Sequence, residues 1–221
     1  MRQPIYHVLL VKNIVLTLHQ NVGFICPLIY MKKKDNAAQI VSIQYYHSPC
    51  GELILASMGN ALCLCDWNGL PCAERNKLRI GRYVNADFRI APSPVIEQAK
   101  RQLDEYFAGN RKEFNIPLHP VGTVFQLRVW RALLDIPYGE TRNYLEVAKS
   151  IGNEKGVRAV AQAIGANGIG ILIPCHRVIG SNRSLTGFRG GLDKKEFLLE
   201  LERDCLHKYR RRSVTLRRLY I

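Results

Sequence analysis

Between residues 39 and 67 the apolar positions come in short runs: IVSIQYY, ELILAS and ALCLCDW. They are separated by Ser48-Pro49-Cys50-Gly51 and by Gly59-Asn60. Short β-rich runs bounded by turn residues predict three strands of an antiparallel meander. Residues 69 to 92 show no clear period and read as irregular. Pro92 and Pro94 then bracket Ser93 as a helix-start signal, and Val95, Ala99, Leu103 and Tyr106 share one helical face until Gly109-Asn110. The segment RKEFNIPLHPVG reads as a strand followed by a linker, because Pro117 and Pro120 discourage continuous helix or sheet. A domain boundary is placed there.

Beyond it the period changes to that of helices. Thr123 is a candidate cap for a helix in which Phe125, Val129 and Leu133 share a face, with Trp130 and Leu134 beside them. After the turn Pro137-Tyr138-Gly139, Thr141 is expected to cap a second helix through Val147. Ile151-Gly152-Asn153 ends it and opens a third, from about Glu154 to Gly165. Two short helices across a glycine-containing turn predict a helix-turn-helix. In the third helix Val157, Val160 and Ile164 are available for packing inward. Its remaining surface is small, with Ala159, Ala161, Ala163, Gly165 and Ala166, and Arg158 stands out from it. Such a helix can press its backbone into a groove, although an alanine-rich packed helix with a solvated arginine has the same pattern.

Composition qualifies this picture. A chain of 221 residues with 47% hydrophobic content can bury a substantial core. The formal charge of +14 points to a polyanionic partner. Residues 1 to 35 and 203 to 221 hold +4 and +6 of it, however, so much of the basicity is terminal. The seven cysteines, an odd number without repeated spacing, favour free thiols in a reducing cytosol. Cys50, Cys63, Cys65 and Cys72, with His47 nearby, lack paired CxxC spacing and are read as small hydrophobes, so no metal site is predicted. Lys12, Asn13, His19, Gln20 and Asn21 interrupt the apolar start, which leaves no membrane-spanning window. Met31 followed by Lys32-Lys33-Lys34 resembles an ordinary start, and residues 1 to 35 are expected to be an extension outside the fold. The units expected are an N-terminal domain over 36 to 118, a C-terminal domain over 119 to 205, and a basic tail over 206 to 221 that is read as a solvated, disordered end.

Candidate chemistry follows the third helix, where an apolar run from Ile169 to Ile173 leads into Pro174-Cys175-His176-Arg177-Val178. A thiolate, and not a thiol, is the nucleophile, so a reactive cysteine needs a base. Glu202 stands late in the last amphipathic helix, whose buried face is formed by Phe197, Leu198 and Leu201. It could orient His176, which would take the thiol proton directly or through water. A structural cysteine beside an unrelated histidine fits the same residues.

The string Ile173 to Ile179 resembles the O6-alkylguanine-DNA alkyltransferases, also called methylated-DNA-protein-cysteine methyltransferases. GTVFQLRVWRALLDIPYGETRNY (122 to 144), GNEKGVRAV (152 to 160) and LTGFRGGLDKKEFLLELE (185 to 202), at their mutual spacing, carry the same resemblance. It implies an α+β architecture: a small ribonuclease H-like N-terminal domain of β-sheet plus helix, then a helical, winged helix-turn-helix-like C-terminal domain that carries the active-site cysteine. It implies that Cys175 takes the alkyl group, that His176 is the base acting through water and oriented by Glu202, and that Tyr144 gives a proton to the base being repaired. Arg158 would insert into the stack where the nucleotide leaves, with Ala159, Ala161, Gln162 and Thr141 against the DNA and Asn167 as a structural hinge to the reactive loop. The implied reaction is single-turnover, direct-reversal repair of O6-alkylguanine, and of O4-alkylthymine as a further substrate. It needs no cofactor and is carried out in the cytoplasm by a monomer on double-stranded DNA with a flipped base. Gly168, Gly170, Leu145, Ile164, Gly165 and Arg189 depart from the residues that relatives often carry. Two other classes fit parts of the sequence: a Cys/His hydrolase on an acyl substrate, and a non-enzymatic helix-turn-helix regulator.

Overall fold

In the computed structural model the backbone is described for residues 8–11, 14–17 and 38–218, and the side chains for residues 38–207. A short hairpin, β1 (Val8–Val11) and β2 (Ile14–Thr17), is antiparallel. The rest of the expected extension lies outside the described residues.

The N-terminal unit is built on β3 (Gln39–Ser48), β4 (Gly51–Met58) and β5 (Ala61–Trp67), the predicted meander. Segment 69–92, read as irregular, instead holds helix α1 (Pro71–Val84) and strand β6 (Ala86–Ile90). β6 pairs in parallel with β3, giving the order β5-β4-β3-β6. Pro71 opens α1, where its missing N–H costs nothing. The buried residues of α1 are Cys72, Ala73, Asn76 and Ile80. That stripe has no large apolar residue before Ile80, so its periodicity is faint. Asn85, in the left-handed region at φ 47°, ends α1 and turns the chain into β6.

The second helix, α2 (Pro94–Phe107), starts as predicted: Ser93 caps it by accepting from Ile96 N. One face of the sheet packs Val41, Ile43, Ile54, Cys63 and Leu64 against Ala73 and Ile80 of α1. The other face joins Leu53, Leu55, Leu62 and Cys65 to Ile96 and Leu103 of α2, and this core continues into the C-terminal half through Trp130, Val160, Ile164 and Leu198. A register irregularity places Ala56 opposite Leu64 but Ser57 opposite Leu62, which leaves Cys63 as the extra residue. A bulge shifts the period of two, so Cys63 and Cys65 belong to different cores.

Residues 111–122 contain no strand. Leu118 makes only an isolated parallel bridge to Leu62, through bonds from Leu62 N to Pro117 O and from His119 N to Leu62 O.

The C-terminal half comprises α3 (Val124–Leu134), α4 (Tyr144–Ser150), α5 (Val157–Gly165) and α6 (Leu192–Arg218). Two-residue strands β7 (Arg142–Asn143) and β8 (Val178–Ile179) pair in parallel. Thr123 caps α3 in a complete capping box with Gln126. The expected cap at Thr141 is corrected: Asn143 caps α4 in a capping box with Glu146, while the residues after Thr141 are held in β7. The third helix begins later than expected, since Glu154–Gly156 forms a 3-10 turn before α5. Val160 and Ile164 point inward, but Ala163 and Ala166 are buried too. The small outward face is therefore narrower than expected, with Ala159 exposed and Ala161 half-buried. Helix α6 continues through residues 206–218 of the basic tail. Among the described residues no helix is long and apolar enough to cross a membrane.

Candidate active site around Cys175

The reactive loop is held from two sides before it reaches Cys175. On one side β5 pairs with it, Cys65 N donating to Gly168 O at 2.9 Å and Gly170 N donating to Cys65 O at 2.7 Å. On the other side Asn167, just past α5, accepts from Ile169 N at 3.0 Å and donates to Ile173 O at 2.9 Å. Between these anchors Ile171 adopts φ 67° while 1% exposed. A β-branched residue in that region is strained. Residues 169–173 are thus a tight set of turns.

Cys175 opens a 3-10 turn that runs through Arg177. Its Sγ receives a hydrogen bond from Asn167 Nδ2 at 3.2 Å. Burial pushes the thiol up to about 11, and the Asn167 bond opposes that shift. The group is therefore protonated at neutral pH and reacts only if its proton is taken. His176, next in sequence, is fully buried, and its Nε2 lies 2.9 Å from Glu202 Oε1.

Glu202 is the hub of this cluster. It accepts from Tyr106 Oη and Gly139 N, both at 2.8 Å. It also receives Nε and Nη2 of Arg177, at 3.0 and 2.9 Å. Burial alone would raise its pKa; the hydrogen bonds from His176 and Arg177 and the Arg177 charge outweigh it and hold the carboxyl at about 2. An ionised carboxylate only accepts, so Nε2 of His176 carries the proton and Nδ1 presents its lone pair. Among the described residues Nδ1 has no hydrogen-bond partner. Burial lowers the histidine pKa, with Glu202 opposing, so the ring is the neutral form of a base. Arg177 donates its remaining arm to Ile136 O at 2.7 Å and lies over the Tyr138 ring.

Arg177 and Tyr106 escaped the sequence reading. Arg177 was within the recognised string, but nothing in a linear pattern shows that it shares Glu202 with its neighbour. Tyr106 lies 96 residues from Glu202 and looked only like the last apolar position of α2. Lys195, fully buried, was missed as well. Its Nζ donates to Val178 O and Thr186 O at 2.5 and 2.7 Å, and burial lowers it to about 8.

The outer wall is looser. Cys175 shares a cleft with Ile164, Asn167, Gly187, Phe188 and Arg189. Tyr144 donates to Thr186 O at 3.1 Å and stands beside Gly187, and burial raises its pKa, so the phenol keeps its proton. Arg158, Ala159, Gln162 and Thr141 are exposed and none belongs to the buried cluster. The structure thus brings together Cys175, His176, Glu202 and Asn167, sets Tyr144 on the facing loop, and spreads the other candidates over the surface. Among the described residues no group of His, Cys, Asp and Glu could hold a metal ion.

Comparison with known proteins gives this arrangement a lineage. Models described as the ribonuclease-like domain and the DNA binding domain of 6-O-methylguanine DNA methyltransferase match residues 41–120 and 124–204. The chain belongs to the 6-O-methylguanine DNA methyltransferase family. Within it, the chain is 54% identical to the methylated-DNA–protein-cysteine methyltransferase of Methanosarcina mazei over 165 residues, which is 73% of this chain and 99% of the relative. It is 45% identical to that of Methanosarcina acetivorans over 164 residues, 72% of this chain and 97% of the relative. Its structure is similar to that of Mycobacterium tuberculosis OGT in complex with DNA, at 40% identity and a TM-score of 0.64 over 75% of this chain and 94% of the other. The family's two-part α+β organisation is the one expected from the sequence.

Proposed function

We propose that this chain repairs double-stranded DNA as a monomer in the cytoplasm by moving the alkyl group of O6-alkylguanine irreversibly onto Cys175. Transfer of a methyl group from methylated DNA to a protein cysteine is the chemistry named for its curated relatives. One observation carries the assignment to this residue: the half-buried thiol has the Asn167 amide at its sulfur and is followed by a buried histidine whose far nitrogen is fixed on a carboxylate.

In the reaction read from this geometry, the Cys175 proton passes through a water to Nδ1 of His176. Glu202 stabilises the imidazolium that forms and holds the ring in one orientation. The Asn167 amide stabilises the thiolate. Sγ attacks the alkyl carbon, the S–C bond forms as the C–O6 bond breaks, and Tyr144 supplies a proton to the leaving purine. The thioether has no easy route back to a thiol, so each molecule reacts once. The lesion oxygen lies inside the duplex, so the nucleotide must first be rotated out. The exposed face of α5 supports this step, with Arg158 filling the vacated space and Ala159, Ala161 and Gln162 against the backbone, joined by Thr141 from the turn before β7.

The test is intact mass after incubation with excess duplex containing O6-methylguanine, beside Cys175→Ser. A gain of one methyl per molecule, mapped to Cys175 and absent from the variant, is the expected result. Repeated turnover of an acyl substrate, or a folded protein that leaves the lesion untouched, would overturn it.

A further inference from the structure

Arg189 has no part in the chemistry above, yet it lines the same cleft as Cys175. Its loop is anchored: Phe188 packs edge-on against Trp67 with ring centroids 5.3 Å apart, and Arg189 O receives the Cys72 thiol at 3.7 Å. The side chain is exposed and crosses to the end of α5, where its Nε lies 3.4 Å from the point a Cβ on Gly165 would occupy. The guanidinium therefore lies against the end of α5. Among the described residues the guanidinium has no ion-pair partner. Asp66 contributes attraction, but its carboxylate already accepts from Trp67 N, Asn76 and the Cys72 thiol. Burial and the like charge of Arg75 lower the pKa of Arg189, and Arg189 in turn lowers that of Arg79. A cation that lines a reactive cleft beside other positive charges, without an ion pair of its own, is complementary to an anion. A guanidinium fork matches a phosphate, with two parallel donors.

We infer that Arg189 binds the backbone phosphate of the alkylated nucleotide at the mouth of the cleft. This rests on the reading of Cys175 as the alkyl acceptor. A rotated nucleotide brings its phosphate to the cleft lip while its base enters. The cation there is supplied by the loop before α6 and not by α5 itself, whose last position is occupied by glycine.

The experiment compares the full chain with Arg189→Gln and Arg189→Lys on two substrates. One is duplex DNA containing O6-methylguanine, followed from about 50 to 200 mM salt. The other is free O6-benzylguanine, which has no phosphate. Arg189→Gln is expected to react with duplex about 10-fold more slowly, with a salt slope smaller by about 1. Its rate with the free base should equal that of the unaltered protein, and Arg189→Lys should recover part of the loss. An unchanged slope in a protein that still takes the methyl group would overturn the inference alone. An equal loss on the free base would also overturn it, by making Arg189 part of the pocket's shape. Failure of the unaltered chain to take a methyl group from duplex would overturn the acceptor reading and this inference with it.

Discussion

The buried and the exposed surroundings of Cys175, its inner and outer walls, are built on different terms. Behind Cys175, His176, Arg177, Glu202 and Tyr106 are buried, and four groups converge on one carboxylate. On the outer side, Tyr144 donates to a loop carbonyl and Arg189 is exposed, as is Arg158 on α5. The inner wall therefore couples reactivity to folding, because the charges that orient the base also need one another to stay buried. The outer wall governs access to DNA and can vary with little effect on stability. Single substitutions should separate the two walls.

The largest effect is expected at the hub. Glu202→Gln leaves the Arg177 guanidinium buried without its counter-charge, a kind of loss worth about 3–5 kcal/mol. Domains of this size are stable by only about 5–15 kcal/mol. A marked fall in the midpoint of denaturant unfolding, together with loss of methyl uptake, is expected; a variant as stable as the parent would separate folding from the base. Asn167→Ala should come next. It removes the bonds to Ile169, Ile173 and the sulfur, each worth about 1 kcal/mol, and slows alkyl transfer to a free base as well as to duplex. An undiminished rate with the free base would move Asn167 out of the inner wall.

Acid should act through the same hub. Glu202 has a folded-state pKa of about 2, depressed from the ordinary 4.5, so its contribution to stability is complete above the ordinary value. It is lost as the pH falls through the folded value. Chemical denaturation from pH 5 to 2 should show this loss, and Glu202→Gln should flatten that part of the curve. The smallest effect on stability belongs to Arg158→Ala, within about 0.5 kcal/mol because the side chain is exposed. Its rate on duplex should fall while its rate on a free base does not.

Legibility follows the same division. Ser93 and Thr123 were readable because a cap followed by an apolar period is a local signal, while the string around Cys175 stood out through its family resemblance, since the residues alone also fitted a structural cysteine. Helix α1 was not, since its inward residues before Ile80 are small or polar, and β6 was too short and too exposed to alternate. The error at Thr141 was avoidable: Asn143 and Glu146 form a capping box visible in the sequence. The inner wall was half visible. Cys175, His176 and Glu202 were named from the sequence, but the pairing that makes Glu202 a hub joins residues from α2, the turn before β7 and α6, which no periodicity connects.

The bonds between Cys65 and the glycines at 168 and 170 have a consequence for how the molecule comes apart. They make the edge of the N-terminal sheet and the reactive loop a shared piece of secondary structure, over a core that already runs through both halves. The two halves are thus bound into one cooperative unit and are expected to melt in a single calorimetric transition. An N-terminal fragment made alone would leave the β5 edge uncovered along Cys65, and such an edge invites pairing with another chain.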